Sequence, residues 1–122
     1  MSVRVYALLF SVICLSACGS TTSPSSTPDP APAGSTTITI VSGASGLTST
    51  AYNPNPITVS VGTTVSWLNS DNTTHTSVAN GGLFSSPNIA PNSRFNFTFT
   101  AAGSFPYRCT IHPNMVGTIT VQ

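Results

Sequence analysis

The stretch RFNFTFT, residues 94–100, alternates without a break. Phe95, Phe97 and Phe99 fall on one side, and Asn96 and Thr98 on the other. Successive side chains of a strand point to opposite faces, so a period of two in aromatic and β-branched residues marks a half-buried strand. Working outward, the same period recurs in TTITIV (36–41), where Ile38 and Ile40 share a face, and in ITVSV (57–61). It returns in TVSWLN (64–69), SFPYRC (104–109) and MVGTITV (115–121). Gly62 and Thr63 turn the chain between two of these runs, and NPNP (53–56), NGG (80–82) and APN (90–92) interrupt it elsewhere. Pro91 suits the second position of a turn, and Asn92 tolerates the positive φ of the third. No window of ten residues has a helical period, and no internal repeat is visible. Short strands at this spacing predict an all-β sandwich or barrel.

The first residues read as an address. Arg4 precedes an apolar run, VYALLFSVICL (5–15), which is too short to span a bilayer that needs about 20 apolar residues. A signal peptide over 1–17 is expected. LSAC (15–18) resembles a bacterial lipobox, which implies a lipid on Cys18 as the mature N-terminus. Gly19 follows, whereas in the resembled class an Asp there signals inner-membrane retention, so the resemblance leans toward the outer membrane. The tether over 18–35 is, after Cys18, Ser, Thr, Pro, Ala and Gly with one Asp, a composition that cannot build a core. At about 3.1 Å per residue this tether reaches roughly 50 Å. Residues 36–122 form one domain, well above the size of about 40 residues below which disulfides or metals become necessary.

Charge is nearly absent. After the signal only Asp29, Asp71, Arg94 and Arg108 remain, and there is no Lys or Glu. That excludes a basic nucleic-acid footprint and strong electrostatic steering. Cys14 leaves with the signal and Cys18 is taken by lipid, so Cys109 is a lone thiol in a disulfide-permissive compartment.

Cys109 opens CTIHPNM (109–115), which also holds His112 and Met115. The other histidine, His75, lies in the polar loop NSDNTTHTSV (69–78). Singly, each has an ordinary reading: a solvated loop histidine, a buried thiol behaving as a small hydrophobe, a core methionine. Together they match a template of two imidazoles, one thiolate and a weak axial Met, the blue-copper electron-transfer site. Structural zinc wants four Cys or His ligands, and only three are present. Calcium wants several carboxylates, and the folded domain has only Asp71. A nucleophilic pair of Cys109 with His112 or His75 lacks an orienting acid and leaves Met115 unexplained.

A family resemblance then becomes specific. YRCTIHPNMVGTITV (107–121) resembles the ligand loop of the cupredoxins, with the Cys-x2-His-x2-Met spacing of amicyanin rather than the longer loop of plastocyanin. PITVSVGTTVSWLNSDNTTHT (56–76) is similar to the segment that supplies their first histidine. LFSSPNIAPNSRFNFTFTAAGSFPYRC (83–109) resembles their strand pair leading to the cysteine. The resemblance spans nearly all of 36–122 and implies a Greek-key sandwich of seven to eight strands. It implies one copper per chain, with His75, Cys109 and His112 equatorial and Met115 axial. One departure is Thr76, where many relatives carry an Asn that ties the first-histidine loop to the ligand turn. AAGS (101–104) also replaces the more usual Pro-Gly turn.

The expected function is one-electron transfer by a copper protein tethered on the extracytoplasmic side of a bacterial envelope, periplasmic or at the outer membrane. It is expected to act as a monomer and not as an enzyme, because both histidines are used by one centre. Redox proteins would dock at an apolar rim near His112, with Ile111, Pro113 and Pro106 as candidates. A copper carrier or store on the same fold, and a metal-free structural sandwich, are the alternatives.

Overall fold

The computed structural model describes residues 27–122. The expected signal over 1–17 and the lipidated Cys18 lie outside the described residues, as does the tether before Thr27. Eight strands form: β1 (Thr36–Ile40), β2 (Tyr52–Asn53), β3 (Ile57–Val59), β4 (Thr64–Asn69), β5 (Val78–Ala79), β6 (Arg94–Thr98), β7 (Gly103–Arg108) and β8 (Val116–Val121). One sheet has the order β2-β1-β4-β6 and the other β3-β8-β7-β5. Only β1 with β2, and β7 with β8, are neighbours in both chain and sheet, so the other connections cross between the sheets, as in a Greek-key sandwich. The one helical turn among the described residues is the 3-10 turn Ala44–Gly46.

The alternation read from the sequence sets which side chains meet between the sheets. Ile38 and Ile40 of β1, Val65 and Trp67 of β4, Tyr107 of β7, and Ile119 and Val121 of β8 are all buried. Each such aliphatic or aromatic side chain contributes about 1.5–3 kcal/mol when taken fully from water. Trp67 is the hub. Its ring lies 5.1 Å from Phe84, 5.5 Å from Phe95 and 5.6 Å from Tyr107, centroid to centroid. Of the three phenylalanines in RFNFTFT, Phe99 is fully buried, while Phe95 and Phe97 are half-buried on an edge strand.

Two strands exceed what periodicity reveals. β2 reaches into the NPNP turn, and β5 lies in the polar loop after His75; each has two residues, too few to display a period. The NPNP turn contains two cis peptide bonds, Asn53–Pro54 and Asn55–Pro56. Asn92 has the positive φ expected of it, 63°. The last described residues of the tether are not wholly free of the domain. The Asp29 N–H donates to the Asn92 carbonyl at 2.9 Å, and Arg94 Nε donates to the Asp29 carbonyl.

Register places the site. β1 is parallel to β4, with Ile40 opposite Asn69, so both strands finish at one end of the sandwich. β7 finishes at that end too, because Ala79 and Val78, just after the His75 loop, pair with Tyr107 and Arg108. The His75 loop and the turn beginning at Cys109 therefore meet there.

Candidate metal centre

The turn after β7 is closed by its own backbone. The Cys109 N–H donates to the Met115 carbonyl, and the Met115 N–H donates to the His112 carbonyl, both at 3.0 Å. This holds Cys109 and His112 in one tight loop. The opposing loop is anchored independently. His75 exchanges both backbone hydrogen bonds with Ile89, at 3.1 and 2.8 Å. Asn69, fully buried at the end of β4, donates to the carbonyls of Thr73 and Ile89 and accepts from the Asp71 N–H.

These two loops bring three of the expected ligands together. Cys109 Sγ is 4.0 Å from His75 Nδ1 and 3.9 Å from His112 Nδ1, and the two Nδ1 atoms are 3.2 Å apart. A point equidistant from the three atoms lies about 2.2 Å from each, within the range of metal–imidazole and metal–thiolate bonds, ~2.0–2.3 Å. The donor set and the spacing therefore fit a single small ion held by two neutral imidazoles and a thiolate. His75 and Cys109 are fully buried and His112 is half-buried. Met115 is fully buried and stands where the turn closes. Cys18 lies outside the described residues.

The sulfur is already set up as an acceptor. The Thr76 N–H points at Cys109 Sγ from 3.4 Å, and Thr76 Oγ1 lies 3.6 Å from it. The same hydroxyl accepts from the Thr110 N–H at 2.8 Å and lies 2.9 Å from Thr110 Oγ1. The tie between the two loops is thus made by a hydroxyl. Tyr52 reinforces it by donating to the Thr76 carbonyl at 2.7 Å. Replacing Thr76 with Val should leave the Thr110 N–H without its partner and remove one hydrogen bond to sulfur. We expect a loss of about 1–2 kcal/mol in urea unfolding of the metal-free protein. A wild-type midpoint would mean that the hydroxyl contributes nothing to the tie.

The sequence reading found no acid to orient either histidine, and the structure corrects this: Asp71 lies against the His75 ring. Asp71 Oδ2 accepts from His75 Nε2 at 2.8 Å. Oδ1 accepts from the backbone N–H groups of Gly43, at 3.0 Å, and Asn72, at 2.8 Å. Burial alone pushes the Asp71 carboxyl up, but the hydrogen bonds from His75, Gly43 and Asn72 outweigh it and hold the group below its usual value of 3.8. The available signal was its position four residues before His75, in a domain otherwise without carboxylates.

The profile of the cupredoxin-like domain matches residues 7–121. The chain belongs to the cupredoxin-like family. Amicyanin from Paracoccus denitrificans is 32% identical over 76 residues, which cover 58% of each chain. Amicyanin from Paracoccus versutus is 29% identical over 82 residues, 63% of this chain and 62% of that one. The cupredoxin thus aligns with rather less than two thirds of these relatives' length. Among solved structures, a purple cupredoxin from Nitrosopumilus maritimus superposes with a TM-score of 0.65 at 34% identity, covering 70% of this chain and 98% of that one. A Cu(I) form of an amicyanin variant gives 0.66 at 27% identity, covering 81% and 95%. A copper-containing nitrite reductase from Thermus scotoductus also matches, but over only 22% of its own chain. The expected all-β sandwich is thereby established for this cupredoxin.

Proposed function

We propose that the protein binds one copper ion as a type 1 centre and carries single electrons. The observation that carries this reading is the His75, Cys109 and His112 triangle, whose size suits one ion and no larger group. Copper in such a site supplies a reversible one-electron couple. Cys109 provides the thiolate, and the two Thr76 donors hold its charge. His75 and His112 present Nδ1 to the same point. Met115 is assigned the weak axial position. The ligand turn is closed by its own backbone hydrogen bonds and the His75 loop is held to Ile89, so little rearrangement accompanies a change of charge.

Electrons would pass through His112, the half-buried member of the triangle. Beside it Ile111 is 45% exposed and Pro113 is exposed. This rim would receive redox partners by apolar contact, with a rate that depends little on salt. Pro106 also lines a groove with Leu83 and Phe105, on β7 and the loop after β5. The reading includes a monomer, held by lipid at Cys18 on the extracytoplasmic face of the envelope. It does not include an enzyme: the chain has two histidines, and both belong to this one centre, leaving none for a second.

A visible spectrum of residues 19–122 titrated with Cu(II) and then reduced with ascorbate tests the proposal. An intense band at about 600 nm that saturates at one copper and bleaches reversibly is expected for a copper–thiolate centre. Tight uptake without the band would support copper carriage instead, and no uptake would refute the site. Replacing Met115 with Leu should keep the band and raise the reduction potential by an amount on the order of tens of millivolts, because a sulfur donor that favours the oxidised ion is lost. An unchanged potential would make Met115 a core residue only.

A further inference from the structure

The carboxylate of Asp71 has an unusual setting. It is 5% exposed and sits directly behind a ligand of the triangle. Among the described residues no arginine neutralises it. Arg94 is spent on the Asp29 carbonyl, Thr37 and Ser66, and Arg108 reaches Asn80. Its acceptor positions are filled by N–H donors: His75 Nε2 on one oxygen, and the Gly43 and Asn72 backbones on the other. Its own N–H is held by Asn69 Oδ1 at 2.9 Å. Two chain segments, the loop over 69–75 and the turn at Gly43, thus converge to fix one carboxylate, more than the placement of a surface loop requires.

Two consequences follow from elementary chemistry. A carboxylate can only accept, so the proton of neutral His75 must reside on Nε2. That leaves Nδ1 as a lone pair, aimed at Cys109 and His112. The second consequence concerns charge. The Cys109 thiolate and Asp71 together carry two negative charges, which balance a divalent ion and leave one in excess over a monovalent ion. Uncompensated charge in a buried site is costly. With a backbone carbonyl in the place of Asp71 the same hydrogen bond would form, but the thiolate alone would balance a monovalent ion and leave one positive charge in excess with a divalent one.

The geometry points to Asp71 as the positioning and charge-balancing residue of the centre: it fixes the ligating tautomer of His75 and holds the couple toward the oxidised ion. The protein is then a better electron donor than its four ligands alone would make it. This rests on the copper reading above, and the test separates the two. In the metal-free wild-type protein, nitrogen-15 NMR should find His75 protonated on Nε2, with that proton exchanging slowly. Asp71→Asn keeps the shape and removes the charge. It should weaken Cu(II) binding about 10–100-fold, the usual effect of losing such a partner. Cu(I) binding should fall at least tenfold less, which for one electron raises the potential by about 59 mV or more. A His75 protonated on Nδ1 in the metal-free wild type would overturn the assignment of Asp71 even where copper binds well. So would an Asp71→Asn protein with an intact band and an unchanged potential. A wild type that shows the Nε2 proton but takes up no copper would refute the copper reading and leave Asp71 its positioning role alone.

Discussion

Replacing Cys109 with Ser abolishes the intense visible band at about 600 nm, since that band needs a thiolate bonded to copper. The substitution should be gentle on the fold. Cys109 is fully buried, and Ser is nearly its shape. A new hydroxyl there would find the Thr76 N–H, now 3.4 Å from Sγ, as a ready donor, so no buried polar group is left unpaired. Far-ultraviolet circular dichroism should match the wild type. His75 and His112 remain 3.2 Å apart at Nδ1 and still offer two nitrogens to Cu(II), so weak, pale binding should persist. A strong band retained in Cys109→Ser would remove Cys109 from the centre and sink the functional proposal.

The largest expected loss of stability lies outside the ligands, at Gly117. Gly117 pairs with Tyr107 across β7 and β8. A Cβ at Gly117 would stand 2.3 Å from Cζ of the Tyr107 ring and 2.5 Å from its hydroxyl oxygen. Atoms this close must move, yet the ring is fully buried and boxed by Tyr52, at 4.8 Å, and Trp67, at 5.6 Å. Gly117→Ala should therefore cost about 3 kcal/mol, the upper end of ordinary overpacking. For a domain of this size that lowers the melting temperature by roughly 12–24 °C. Thermal unfolding of the metal-free protein reads it. Tyr107 is two residues before Cys109, so copper uptake should also become heterogeneous. An unshifted melting temperature would mean that the Tyr107 ring can leave its pocket at little cost.

Most of the sandwich was legible because alternation is a local property. Ile38 and Ile40, or Val65 and Trp67, declare a buried face by spacing alone, since a strand offers only two faces. β2 and β5 were not legible, because two residues cannot show a period. Four candidate donors could be named from type and count: residues 36–122 offer two histidines, one cysteine and one methionine. The role of Thr76 could not be read in the same way. Whether a hydroxyl can tie two loops depends on the 2.8 Å separation from the Thr110 N–H, and residues 34 apart set that distance.

Asp71 marks the boundary most clearly. As a letter in the chain it is one carboxylate among serines, asparagines and threonines, indistinguishable from a solvated turn residue. Its role depends on Asn69 bending the loop, on Gly43 arriving from the end of β1, and on the His75 ring turning its Nε2 inward. By itself the sequence determined the strands and the set of candidate donors, because backbone periodicity and side-chain chemistry belong to each residue locally. Only the tertiary structure decided which donors share a centre, which nitrogen of His75 faces it, and which charge stands behind it. Those are distances between segments remote in the chain, and packing alone sets them.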